Sequence, residues 1–443
     1  MLDGESRVVF HRSPLAEKPD IKPEIHVLQF NPCLGTLSYN LQYIIVRGGI
    51  SVDMLARPLG ESVKLNELLS DPYPIYARLR EAEPISWAPA AQRYLVTRYD
   101  DIVTLERDKE NFKADEDGSL MKRVMGHTMI RKDGAQHMRE RMACEPSLKP
   151  LVIKNYWLPQ FHQIVAETIA EIKEKESADL FSEFASPIAS RVLAVLLGLT
   201  NVAAENLAIW SQAMMDGTGN YANDPQVWQR AQAASHAVDE AVDAIIPWLR
   251  AHPDPSLISS MLHADDPLSR DEIVANVKVI IGGGLNEPRD AMLTAVVGLL
   301  ENPAQLADVK ANPELWRSVF EETIRWVAPI GMYPRQTTRE VELGGMLLPA
   351  GAKLGVVLAS GNRDERVFTA ADRFDIHREK KPHVAFGGGA HYCLGAWAAR
   401  ALVGQIALPA LFGQLPQLAF SRAPQWFGWV FRGPVSVAVT WKL

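Results

Sequence analysis

One short stretch constrains this chain more than any other: Phe386-Gly387-Gly388-Gly389-Ala390-His391-Tyr392-Cys393-Leu394-Gly395, which runs directly into the alanine-rich apolar segment Ala396 to Leu408. That segment reads as a helix, so Cys393 stands at a helix start. Backbone N–H groups and the positive end of the helix dipole favour a thiolate there, and thiolate is the form that ligates metal. The preceding glycines permit positive φ and close backbone approach, as a flat group pressed against the chain requires, and Gly395 leaves room on the same face. A lone cysteine is more often a small buried hydrophobe; here the flanking residues carry the functional reading.

Around this motif, 443 residues of which 47% are hydrophobic suffice for one large or two intimate domains with a sizeable core. Apolar residues recur at helical spacing in Phe161 to Ile172, Pro187 to Leu197, Ala237 to Leu249 and Asp271 to Leu300. Val341 to Val357 alternates around the turn signals Gly344-Gly345 and Pro349-Ala350-Gly351, and Val435 to Trp441 alternates again. Both read as small antiparallel strands. The expected fold class is therefore mainly α with small antiparallel β-sheets. Residues 1–53 mix prolines, charges and isolated apolar residues without a period and read as an N-terminal extension of uncertain order, Met54 being an alternative start. Residues 54–443 read as a single domain.

A formal charge of −7 argues against nucleic acid as a partner, which needs a basic surface. The cysteines Cys33, Cys144 and Cys393 are scattered, so neither a disulfide framework nor a four-thiolate metal site is available, and a reducing cytoplasm fits. The early apolar stretch Leu41 to Ile50 is interrupted by Arg47 and falls short of the roughly 20 residues that span a bilayer, so no membrane anchor is expected. Asp3 and Glu5 do not suit a secretory signal.

The cysteine motif matches F-x-x-G-x-H-x-C-x-G at every fixed position, and from roughly residue 60 to the C-terminus the chain resembles the cytochrome P450 family, most closely after Glu322. The resemblance implies the cytochrome P450 fold and haem b (iron protoporphyrin IX), with Cys393 as the iron ligand and Phe386 in the haem-side loop. A thiolate ligand pushes electron density onto iron, so that dioxygen is cleaved and not merely carried. By the same match His391 meets a haem propionate. His137 and Arg141, at i and i+4 on a helix beginning near Ala135, and Arg335 resemble the family's other propionate contacts.

Glu322-Thr323-Ile324-Arg325 lies in a helix capped by Asn312-Pro313 and ended by Pro329. Alone, such an i,i+3 pair is weak evidence. In the family it is a core ion pair, to which the resemblance adds Arg373 as a third, structural member.

Ser269-Arg270-Asp271-Glu272 reads as a capping box opening a long helix that ends at Asn302-Pro303 and is interrupted by Gly282-Gly283-Gly284 and Pro288. Pro288 has no N–H, so a kink is expected, with Gly284 beside the opened groove. Here the family usually carries an acid followed by an alcohol that helps move protons to dioxygen, whereas this chain has Asn286 and Glu287. A partly buried Glu287 carboxyl is expected to have a raised pKa and to donate protons near neutrality, with the Asn286 amide holding a water. Pairing of Glu287 with Arg289, in a purely structural role, is the alternative.

The leading expectation is a monooxygenase that hydroxylates or dealkylates a small apolar organic substrate. Dioxygen is the co-substrate, and electrons come from NAD(P)H through a separate ferredoxin and ferredoxin reductase, since the chain carries no dinucleotide fingerprint and no iron–sulfur cysteines. Arg131, Lys132 and Arg139 form a basic group able to attract an acidic ferredoxin. A hydrogen-peroxide-driven peroxygenase and a haem-thiolate binding or sensor protein are the rival readings. Substrate-facing candidates are Phe112 to Met129, Trp210 to Tyr221, and Pro424 to Phe431 with Trp426, Phe427, Trp429 and Phe431.

Overall fold

The computed structural model describes residues 44–46, 49–51 and 58–442. Chain contacts divide at Arg57–Pro58 into two units. Of the first, the backbone strands Ile44–Val46 and Gly49–Ser51 pair antiparallel; most of the expected extension 1–53 lies outside the described residues.

The unit beginning at Pro58 is built around the helix Arg270–Glu301. Ser269 Oγ accepts from Glu272 N while the Glu272 side chain accepts from Ser269 N, the expected capping box. From Ile273 to Leu299 nearly every residue of this helix is buried, which explains why its apolar pattern runs around the whole helix and not along one stripe. The helix runs on through the glycine run and Pro288 to Glu301, the long helix expected from the sequence. Packing on all sides holds the helix through positions that would break an isolated one. The helices Leu158–Lys173, Ser186–Leu197, Ala204–Thr218 and Pro225–Ala251 join it in one large apolar core.

The main sheet has Ile85–Ala88, Arg93–Val96, Lys353–Val356, Tyr333–Thr337 and Phe112–Lys113 in that spatial order, with one parallel pairing among antiparallel ones. The expected strands of 341–357 are the hairpin Val341–Leu343 with Met346–Leu348, turning at Gly344 and Gly345 (φ +54° and +82°), followed by Lys353–Val356. Near the C-terminus, Gly433–Ser436 pairs with Gln425–Phe427, and Ala438–Thr440 lies between Ala419–Phe420 and Ser177–Asp179.

Among the described residues one helix, Ala396–Gln414, has the length and composition of a membrane-crossing segment. It follows the cysteine, and 61% of the apolar stretch is buried inside the fold.

Candidate active site

The loop before Cys393 folds back on itself. Cys393 N donates to Phe386 O at 2.9 Å, and Gly387 N donates to Val384 O at 2.8 Å. Gly387 and Gly389 have φ of +68° and +59°, and a Cβ on Gly389 would collide with the Glu106 carbonyl oxygen. The glycines thus serve turn geometry and close approach, as read from the sequence. Phe386 is covered by the Arg400 guanidinium, 4.7 Å from the ring centre. Arg400 in turn binds Glu321, which also meets His383 at 2.9 Å. Burial alone would raise the Glu321 carboxyl, but the hydrogen bonds from His383 and Arg400 outweigh it and hold it at about 2.

Cys393 is exposed, with protein atoms crowded around it. Burial pushes its pKa up to about 11 against the lowering hydrogen bond from the Gly395 N–H, and the charge of Glu287 raises it further. The Gly395 N–H at the helix start favours the thiolate, as read from the sequence, while burial opposes it; a bound metal cation would add to the lowering side.

On the helix whose Glu287 charge is felt at Cys393, Gly283 is exposed, and Gly284, Glu287 and Pro288 are half-buried, although Ile281, Gly282, Leu285 and Asn286 are buried. Gly283 and Glu287 share a helix face: a Cβ on Gly283 would lie 3.9 Å from both Glu287 carboxyl oxygens. Neither of those oxygens has a hydrogen-bond partner. Burial pushes the Glu287 carboxyl well above its ordinary value, and the neighbouring Asp290 adds to this against Arg289. Gly284 instead faces the helix Ser186–Leu197, where a Cβ would come within 2.9 Å of Leu193 Cδ1. Gly283 is thus the glycine that opens the space, a residue the sequence reading missed although its i,i+4 relation to Glu287 pointed to it.

Asn286 also departs from expectation. Its Nδ2 donates to Ser211 Oγ at 2.9 Å and to Gly282 O at 3.2 Å, while its Oδ1 accepts from Arg289 Nη1 at 2.8 Å. Both ends of the amide are held by protein, so it is placed to brace helices and not to hold a water. Arg289 pairs with Asp290 at 2.8 Å and lies over Phe181, so it is not the ion-pair partner of Glu287.

Imidazole and guanidinium groups lie near the cysteine loop. His137, on the helix Gly134–Cys144, stacks on His391 with ring centres 4.1 Å apart, and His391 Nε2 is 3.2 Å from Asp133 Oδ1. Burial, then the charges of His391 and Arg141, lower His137 to about 4. The Arg141 charge is felt at both His137 and Cys393. Arg335 is buried against Glu106 at 3.2 Å, the residue whose carbonyl Gly389 abuts. A thiol, a glycine-lined gap, an orphaned carboxyl and nearby imidazole and guanidinium groups suit a flat, metal-bearing, acid-edged macrocycle. Haem fits this donor set.

The comparisons agree. A family model described as Cytochrome P450 matches residues 305–406. The chain is 30% identical over 384 residues to "Cytochrome P450 107B1" of Saccharopolyspora erythraea, covering 80% of this chain and 90% of that protein. This chain belongs to the cytochrome P450 family. With membership come haem and monooxygenase activity. The P450 is also 29% identical to "Nocardicin C N-oxygenase" of Nocardia uniformis, over 88% of this chain and 99% of that one. Among solved structures it is similar to CYP109B1 from Bacillus subtilis, with TM-score 0.74 and 28% identity, covering 83% of this chain and 99% of that chain.

Two further expectations about this P450 need correction. Glu322 does take both guanidinium nitrogens of Arg325 at 2.7 Å, but the third cation is Arg378, 3.3 Å away, and not Arg373. Arg373 has an exposed side chain and contributes only its carbonyl, which accepts from Arg325 and Arg378 at 2.9 Å each. Nor do Arg131, Lys132 and Arg139 form a free basic face. Arg131 and Lys132 are buried, Lys132 binds Glu140, and Arg139 is held by Glu272 at 2.7 Å and by Asp266.

A cavity of about 190 Å³ adjoins Arg335 through Tyr333 and Pro334; Glu287 and Cys393 are not in its lining. All three segments read as substrate-facing reach it, through Leu120, Tyr221 and Phe431. The other aromatics do not: Trp426 packs on Trp326, Phe427 is exposed and Trp429 is buried in a core cluster.

Proposed function

We propose that residues 54–443 form a single cytoplasmic haem domain that hydroxylates, or oxidatively dealkylates, a small organic substrate with an apolar body. Electrons pass from NAD(P)H through a separate ferredoxin and ferredoxin reductase. Relatives support oxygen insertion with varied outcome: one is named a "6-deoxyerythronolide B hydroxylase" (31% identity over 59% of this chain) and another a "Cyclomarin C epoxidase CymV" (32% over 60%). In this reading Cys393 supplies the metal-binding thiolate, with Phe386 and Gly283 lining the haem-side space. His137, Arg141, Arg335 and His391 hold the acid edge of the macrocycle.

Bound haem would supply the chemistry of dioxygen reduction and oxygen insertion. The chain's own contribution is a proton. Glu287, unpartnered at both oxygens, is the observation that carries the assignment. Burial raises its pKa well above the ordinary carboxylate range, which favours the protonated form beside Gly283, where the usual alcohol is missing. Asn286 and Ser211 fix that stretch of helix, so the carboxyl stays in place without a partner of its own.

The test begins with a spectral titration of the haem-loaded protein against aromatics, terpenoids, fatty acids and steroids, followed by turnover of whatever shifts the ferric spectrum. Product formed with NAD(P)H, ferredoxin and reductase supports the proposal. Equal turnover with hydrogen peroxide alone would favour a peroxygenase, for which the same orphaned Glu287 is a suitable acid–base group. Complete loss of reducing equivalents to peroxide or water with every binder would defeat both enzyme readings in favour of a binding protein.

A further inference from the structure

The cavity beside Tyr333 holds an unbalanced charge. Its wall carries Arg93, Glu116, Arg131 and Lys353, and the first three are 4%, 4% and 5% exposed. Glu116 answers Arg93 at 3.3 Å and Lys353 at 3.7 Å. Arg93 is further satisfied by the carbonyls of Ala91 and Leu354 and by the Tyr221 hydroxyl, at 3.2, 3.4 and 3.3 Å.

Arg131 has nothing comparable. Among the described residues it reaches only the Ala114 carbonyl, at 3.5 Å, and its Nε has no partner. The neighbouring Arg335 is a second cation already matched by Glu106. The Glu116 charge is felt at Arg131, but no anion stands within ion-pair distance of it among the described residues; a buried guanidinium with five donors so placed is costly unless a ligand completes it, and a carboxylate matches its fork. Burial, with Arg335 next, lowers Arg131 to about 10, a strain that a bound anion would relieve. The wall also carries the apolar side chains of Ile130, Met332 and Phe431.

We propose that Arg131 anchors the carboxylate of an amphiphilic substrate whose apolar body lies along Ile130, Met332 and Phe431. This rests on the monooxygenase reading and narrows its substrate class from small molecules with an apolar body to apolar carboxylic acids. The basic cluster was invisible in the sequence because Arg93, Arg131 and Lys353 come from three distant segments.

The experiment is a titration of haem-loaded protein with matched pairs: the straight-chain acids from hexanoate to dodecanoate and cyclohexanecarboxylate, each against its carboxamide. Binding is read by the ferric spin-state change and by calorimetry. At least one carboxylate is expected to bind about tenfold or more tighter than its amide. Arg131→Gln is expected to bring that pair within about twofold, leaving amide binding and haem content unchanged, and Arg131→Lys to retain part of the preference. The proposal is overturned if no pair favours the acid, or if the preference survives in Arg131→Gln. It is also overturned if both Arg131 variants lose haem, which would assign the guanidinium to the cofactor's own carboxylates. Carboxylate preference without product in the reconstituted system would defeat the monooxygenase reading and leave the anchor standing.

Discussion

Arg378 closes on Glu322 at 3.3 Å, and this contact completes a buried carboxylate that Arg325 already holds at 2.7 Å through both nitrogens. Glu322 also accepts from Asp375 N at 2.8 Å, and Arg325 donates to the carbonyls of Asn362, Ala371 and Arg373. The network ties the helix Trp316–Trp326 to the loop that leads toward the cysteine.

Removing one member leaves the others charged and buried. Arg325→Met is expected to cost about 3–5 kcal/mol, the range for breaking a buried pair. Arg378→Met should cost less, about 1–3 kcal/mol, and Arg373→Met should stay within about 0.5 kcal/mol because its side chain is exposed. Urea unfolding of the haem-loaded protein ranks the three; an Arg373 effect equal to that of Arg378 would contradict the assignment.

Glu287 ties stability to pH. An unfolded glutamate ionises near about 4.3, whereas burial raises the folded group well above that. Between these values the unfolded state binds fewer protons, so the contribution of Glu287 to stability is full below the unfolded pKa and is lost as pH rises. Glu287→Gln removes the ionisation, so its thermal midpoint should gain on the wild type as pH rises above the unfolded value of about 4.3. Its coupling of electrons to product should fall. A parallel stability profile would show that Glu287 is already ionised in the fold.

Asn286→Leu would leave Ser211 and the buried Arg289 short of partners. The expected loss is about 1–3 kcal/mol, visible as a lower denaturation midpoint together with a change in the pH profile of turnover as the Glu287 segment loosens. Turnover lost with stability untouched would return Asn286 to a water-holding role.

Gly389→Ala places a side chain at φ +59° against the Glu106 carbonyl. Left-handed backbone alone costs about 1–2 kcal/mol, and relief of the collision displaces Glu106, the partner of Arg335. The haem content of purified protein should drop; full occupancy would mean that the loop adapts.

Much of this P450 is determined within short stretches of its sequence. The capping box at Ser269, the turn glycines before Cys393 and the Glu322–Arg325 pair depend on residues a few positions apart, where helix and turn geometry alone decide who meets whom. Long-range pairing follows no such rule. Arg378 stands in for Arg373 because the loop from Ala371 turns the Arg373 side chain outward and keeps only its carbonyl in the network. Asn286 meets Ser211 because two helices cross there, and Arg131 lies beside Arg93 because a turn packs near the edge of a sheet strand. Burial also has an effect at Cys393 that local sequence does not carry: the helix start favours a thiolate while the protein around it raises the pKa. Side-chain identity set what chemistry was available; tertiary packing decided which groups were spent on one another and which were left for a ligand, because only packing fixes desolvation and distance.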